Sequence, residues 1–491
     1  MGLSLAGIPT AVDSHPAGRT GLRAGHPYRS AMGSVGGDGP AAAESTCVTV
    51  GAGAVPRGVR ADCREVGDVS YRALLEAFNP PHTYWSTPDG LEVAGVGSVA
   101  TLVADGPDRF DRLRAAADRL FETVAFDGPA VARPRAIGGL AFHADHRPEP
   151  PWESFPAAGF VLPETLLVRG DDRTLLTAVT PADGDALGDT AVPTEPATAL
   201  SRAVERVADL PSMRPTGAPP GVRSRRTVTG REAWTAGVER LRGRIDAGDL
   251  RKAVLATALE VDTEAPVVPA DTLERLRRTH PDCFRFLVRP DGRAFFGAPP
   301  ERLVALDGRD VRAEALAGTV PRGDGPAEDE ELAARLLADE KIAHEQRLVV
   351  EAVRERLAPL GELWTDDRRV RRLAGVQHLE TPIGARLATD RHVLDLVESL
   401  HPTPAVGGLP ADLAAGVVRE TEPFERGWYA GPVGWFDAAG DGEFAVAIRS
   451  GVAADRRVTL FAGNGIVADS DPGDEWDEVN LKWPVLDELR R

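Results

Sequence analysis

Apolar residues at helical spacing pick out a helix over 107–124, where Phe110, Leu113, Ala117, Leu120 and Phe121 share one face. Around it, between about 65 and 205, short apolar runs alternate with turns. They predict strands at 92–104, 136–142, 159–168 and 173–180. Residues 206–226 are rich in Pro, Arg and Gly, carry little apolar periodicity and read as a linker. A helix over about 230–246 and a strand over 251–261 follow. A long helix is then predicted over 327–357, with Leu337, Lys341, Glu345, Val349 and Ala352 on one face. In EFAVAIRSG, strand alternation sends Phe444, Val446 and Ile448 one way and Arg449 the other. Strands in both halves with helices between them predict an α+β layered body rather than a doubly wound sheet. Residues 1–60 hold twelve glycines and no lasting pattern, and read as a disordered N-terminal tail, with the alternation of TCVTV at 46–50 as a competing edge strand.

Composition narrows the class. Of 491 residues, 42% are hydrophobic and 27% charged, which excludes wholesale disorder. No run approaches the 18 apolar residues of a membrane span. The formal charge of −18 argues against a nucleic-acid partner, which needs a basic footprint. Of 57 basic residues only Lys252, Lys341 and Lys482 are lysines. An acidic, lysine-poor surface fits a halophilic source, because molar salt screens its self-repulsion; codon bias alone would leave the same mark. Three cysteines (Cys47, Cys63, Cys283) form neither a metal spacing nor an even disulfide set, and no secretory signal is visible. A reducing, cytoplasmic setting is expected.

Against that background the remaining lysines stand out. Lys252 alternates with Val254 and Ala256 on one strand face, and a desolvated ammonium there would suit a general base; it also reads as a snorkelling edge lysine. Glu345 lies on the inward stripe of the long helix, and Glu475, Glu478 and Lys482 share a helical face near the C-terminus. Inward glutamates on two helices can hold Mg²⁺, although a Glu345–Lys341 ion pair and a solvated acidic helix account for the same spacing. LAGTVPRG (316–323) and LFAGNGIV (460–467) read as glycine turns whose N–H groups bind anions, with Arg449 nearby as a cation. GVGS at 95–98 is followed by no nucleotide fingerprint. Together these residues suit a small dianion, Mg²⁺ and proton transfer.

The segments KAVLA, PPERLV, EALAGTVPRG, DEKIAHEQRLVVE, VQHLETPIGARL, LHPTPAVGGLP, EPFERGWYAGPVGW, AIRSG, LFAGNGIV and GDEWDEVNLKW follow one another in the order and spacing of a known family. The chain resembles the chorismate-utilising enzymes, and among them isochorismate synthases most. The match is strong over about 230–486 and looser over 65–205, where GGLAF (138–142) and WESFPAAGFVLPE (152–164) fit. The resemblance implies one layered sandwich of two antiparallel sheets with outer helices. It would be built from an N-terminal half (65–205) and a catalytic region (227–491), with 206–226 a loop.

The family's water-activating lysine falls on Lys252 and its general acid on Glu301. Its Mg²⁺ glutamates fall on Glu345 and Glu478, with Glu475 beside them. Substrate contacts fall on Gly318, His378, Arg449, Gly463 and Lys482. Ala405 and Val406 in HPTPAVGG match the isochorismate-forming branch. HEQR at 344–347 and PPE at 299–301 depart from the commoner HEHE and SPE but keep the glutamates. Implied further are chorismate as substrate, Mg²⁺ as cofactor, menaquinone supply with a siderophore pathway as the alternative, a monomer or weak homodimer, and no glutamine amidotransferase subunit. Salicylate synthases share these motifs, and a catalytically dead binding subunit would lose the lysine and the glutamates.

Overall fold

The computed structural model describes residues 55–170, 173–182 and 195–490. TCVTV and all but the last few residues of the expected tail lie outside them. The first described strand, Val59–Val66, already starts within the range read as tail.

Why the apolar pattern folds as it does is clearest in the helices. Phe110, Leu113, Ala117 and Leu120 are buried on helix Arg109–Leu120. Trp234, Gly237, Val238 and Leu241 do the same on Arg231–Asp246. Each large apolar side chain so buried contributes roughly 1.5–3 kcal/mol. Helices this short need that packing, since propensity alone leaves them marginal in water.

The strands form two sheets, of thirteen and ten strands among the described residues. Pairing is antiparallel throughout except for the two-residue parallel contact of Val59 and Arg60 with Val124 and Ala125. Both sheets mix the two halves of the chain. Strand Arg285–Arg289 pairs with His82–Ser86 in the larger sheet. Strand Pro432–Asp437 pairs with Arg135–Leu140 in the smaller. The stretch read as a linker is trimmed at both ends: helix Pro196–Ala208 enters it, and strand Val222–Thr227 leaves it to form an arginine-rich edge of the larger sheet. Charges on such an edge discourage further pairing. One aromatic core links the layers, with Trp152 against Phe295 (5.1 Å), Phe155 against Trp428 (5.3 Å) and Trp152 stacked on Phe461 (5.3 Å).

Three stretches read as single strands are pairs that switch sheets. Residues 92–104 divide into Glu92–Val96 (larger sheet) and Ala100–Ala104 (smaller), turning at Gly97 with φ +70°. Residues 159–168 divide into Ala158–Leu162 and Thr165–Gly170 at Pro163. EFAVAIRSG divides into Gly442–Val446 (smaller) and Ser450–Ala454 (larger). Arg449 is therefore in the crossover and not on a strand face. Its backbone is left-handed, φ +54°, a conformation that costs an ordinary residue roughly 1–2 kcal/mol.

Two further expectations change. The helix over 327–357 is two helices, Pro326–Ala338 and Glu340–Leu357. Asp339 adopts an extended backbone between them, and its side chain accepts the N–H of Ile342 as an N-cap. The shared stripe breaks accordingly: Leu337 is exposed, while Val349 and Ala352 are buried. The glycine turns prove to lie within strands, Asp310–Pro321 and Arg457–Ile466. Gly318 sits at a bulge of the first, with φ +69° and a register shift between Ala317 and Thr319. A Cβ there would lie 2.1 Å from Cγ2 of Ile342, so glycine is required.

Candidate active site

The two sheets and the crossovers between them converge on a cavity of about 310 Å³. Strands Lys252–Thr263 and Arg457–Ile466, paired in the larger sheet, bring Lys252 and Gly463 to it. Strands Asp310–Pro321 and Val376–Leu387 of the smaller sheet bring Gly318 and His378. Two crossovers supply Glu301 and Arg449. Helix Glu340–Leu357 supplies Glu345, and helix Pro472–Val479 with the turn after it supplies Glu475, Glu478 and Lys482. All ten residues singled out in the sequence thus line one cavity, as do Ala405 and Val406.

Lys252 is 2% exposed, and its Nζ donates to Oε1 of Glu345 at 2.6 Å. Its setting is therefore not purely apolar, as the strand alternation had suggested, but that of a buried ion pair at the cavity wall. Glu345 keeps 19% of its side chain exposed. The Lys341 side chain lies outside the described residues. Room for the pair comes from Gly465: a Cβ there would stand 2.7 Å from Cε of Lys252 and 2.8 Å from Oε1 of Glu345. Gly463, two residues earlier on the same strand face, would place a Cβ 3.2 Å from the Tyr429 hydroxyl. Gly-Asn-Gly is thus an opening in the sheet face. Gly465→Ala should cut turnover at least tenfold while the protein stays folded, because the lysine must move or leave its partner; kinetics beside a thermal melt check this.

Glu301 is buried, and its carboxyl pKa is pushed up to about 8, first by burial and then by the charge of Glu314, against the opposing pull of Lys252 and Arg371. At neutral pH it carries a proton it can donate. His378 is held neutral, its pKa lowered to about 3 by burial and then by Arg449. The hydrogen bonds fix its tautomer. Nδ1 donates to the Gly318 carbonyl (2.9 Å), so Nε2 accepts from Nη2 of Arg449 (2.9 Å). His378 thereby orients a half-buried guanidinium.

Beside strand Arg457–Ile466, Lys482 pairs with Glu478 (2.8 Å) and donates to Oδ1 of Asn464 (2.6 Å) and the Gly463 carbonyl (3.2 Å). Glu475 accepts from Ser470 (2.7 Å) and from Nδ2 of Asn464 (3.1 Å), and burial raises its carboxyl pKa. Sequence reasoning took Gly465 only as part of a glycine turn and passed over Asn464 and Ser470; the i, i+2 glycines flanking an asparagine within a strand were the available signal.

Among the described residues no three His, Cys, Asp or Glu form a ready metal cluster. The donor chemistry still suits a hard cation. Mg²⁺ commonly takes one or two protein carboxylates and completes its shell with water and substrate oxygens. Glu345 and Glu478 each spend oxygen lone pairs on a lysine and keep others free.

Comparison with known proteins agrees with this geometry. The family model described as chorismate binding enzyme matches residues 61–489. The salicylate biosynthesis isochorismate synthase of Pseudomonas aeruginosa is 36% identical over 414 residues, covering 83% of this chain and 84% of that protein. Isochorismate synthase MenF of Bacillus subtilis is 31% identical over 442 residues, 84% of this chain and 91% of that one. The solved structure of MenF, the menaquinone-specific isochorismate synthase from Escherichia coli, superposes with a TM-score of 0.74 at 28% identity, over 89% of this chain and 96% of that one. With matches of this extent, and with the family's motifs gathered on one cavity, the chain belongs to the chorismate binding enzyme family.

Proposed function

We propose that the protein is an isochorismate synthase, which adds water at C2 of chorismate and releases the C4 hydroxyl as water. The observation that carries this reading is the pairing, in one cavity, of a buried lysine with a buried glutamic acid that keeps its proton near neutral pH. Lys252, as the neutral amine, takes a proton from water as the oxygen bonds to C2. The ring double bonds shift, the C4–O bond breaks, and Glu301 delivers its proton to the departing oxygen. Arg449 and Lys482, with backbone N–H groups of the glycine-bearing strands, bind the two carboxylates, so local cations overcome the repulsion of a −18 surface. Glu345 and Glu478, with Glu475 beside them, would hold Mg²⁺, which when bound neutralises carboxylate charge and draws electron density from the conjugated ring.

Incubation with chorismate and Mg²⁺, followed by chromatography, tests the reading; isochorismate is expected. A second reading, salicylate formation at the same site, draws on the relative named for salicylate biosynthesis and predicts salicylate and pyruvate in that chromatogram. We assign the product to menaquinone supply on the likeness to the two MenF proteins. Glu345→Gln and Glu478→Gln should each raise the Mg²⁺ concentration for half-maximal rate about tenfold or more, since ligand shells are sensitive to such losses. Glu478→Gln is the cleaner case, because it leaves the Lys252 pair intact. Unchanged Mg²⁺ titrations in both variants would place the metal elsewhere.

A further inference from the structure

Behind Glu301, on the side away from the cavity, lies a second group of buried charges that the mechanism above does not use. Glu314, on strand Asp310–Pro321, is 8% exposed. Its Oε1 accepts the backbone N–H of Arg302 at 2.5 Å and Nη1 of Arg371 at 3.2 Å. Arg302 follows Glu301 directly, so the Arg302 hydrogen bond grips the peptide that joins the two. The surroundings of Glu314 are cationic as well as acidic. Arg371 also faces Glu380 (3.4 Å) and donates to the Asp282 carbonyl, Arg369 pairs with Glu380 (2.6 Å), and Arg302 pairs with Glu443 (2.9 Å). Glu301 faces Glu314, Lys252 and Arg371.

Two buried carboxyls that feel each other's charge do not both ionise cheaply, and the proton stays on the one with fewer donors to its charged form. Burial pushes the Glu314 carboxyl up as well, against the pull of the Arg371 and Arg302 guanidiniums and the Arg302 N–H, which favour its charged form. Glu301 is turned to the cavity. We propose that Glu314 is a positioning residue for the catalytic acid: it fixes the Glu301–Arg302 peptide and, as a fixed negative charge, keeps the proton on Glu301. The upward displacement of the Glu301 pKa, in which Glu314 is the foremost cause after burial, agrees with this. The proposal rests on Glu301 being the acid of the proposed reaction.

The test is the pH dependence of kcat/KM for chorismate turnover with Mg²⁺. Glu314→Gln keeps an oxygen for the Arg302 N–H and removes the charge. Its alkaline limb should fall by about half a unit or more, so that at pH values above the wild-type limb it loses at least about threefold more rate than the wild type. Arg371→Gln removes the cation facing both carboxyls and should move the limb the other way, upward. Opposite shifts cannot come from a merely loosened structure. A folded Glu314→Gln protein with an unmoved limb overturns the proposal, as do two shifts of the same sign. If Glu314→Gln does not fold, an unmoved or lowered limb in Arg371→Gln overturns it. Glu301→Gln separates the two claims. If that variant retains wild-type turnover, the acid assignment fails and this proposal with it; if it is inactive while the Glu314→Gln limb stays in place, the positioning role alone fails.

Discussion

Lys252→Ala should lose turnover by about 10²–10⁴-fold, the usual worth of a general base, while still binding chorismate. The expectation rests on position: Lys252 is 2% exposed, lies on the cavity wall and sits over the gap left by Gly465. Substrate affinity should survive because the cations assigned to the carboxylates, Arg449 and Lys482, belong to other elements and keep their partners His378 and Glu478. The fold should survive as well. Glu345, left without the lysine, is partly exposed and can be hydrated. Turnover kinetics, equilibrium dialysis with chorismate and a thermal melt check the three parts. More than about a tenth of wild-type turnover would remove Lys252 from the mechanism.

Glu301→Gln should show a comparable loss of rate, about 10²–10⁴-fold, and a gain in stability that depends on pH. In the unfolded chain Glu301 titrates near its ordinary value of 4.5, and in the folded protein near 8. Between those values the folded state holds a proton that the unfolded state has released. Wild-type stability therefore falls as pH rises through this window and levels off above it. Glutamine has no such proton. The variant's advantage in melting temperature should be small below about pH 4.5 and grow toward pH 8, where the underlying difference is of the order of a few kcal/mol. Parallel melts at pH 5 and pH 8 decide; an equal difference at both would mean that the carboxyl is not buried and protonated as described.

Both variants concern residues that were legible in the sequence, for different reasons. Lys252 stood out because lysine is nearly absent from the chain, and its strand alternates plainly. Glu301 was found only through the resemblance, since nothing in the periodicity of PPERLV marks a catalytic acid. The layered α+β body was legible from mixed strands and helices. The sheet switches at Gly97, Pro163 and Arg449 were not: with outer helices and an inner core both strand faces are buried, so alternation is lost and two strands read as one. The break at Asp339 was hidden because the apolar spacing runs on through it, and only the cap geometry reveals the second helix. The Lys252–Glu345 pair joins residues 93 apart, and spacing cannot report such a contact. Glycines 318, 463 and 465 were noticed as turn formers, yet they act inside strands, where the missing Cβ opens the cavity wall.

The most direct measurement of the central claim, water addition at C2 with loss of the C4 hydroxyl, is turnover in water labelled with heavy oxygen. Mass spectrometry of the isolated product, with the label located by fragmentation or carbon NMR, reads the outcome. Isochorismate carrying one labelled oxygen, at C2, is expected. Unlabelled isochorismate, which would mean that the original hydroxyl migrates, would contradict the claim, as would a product other than isochorismate.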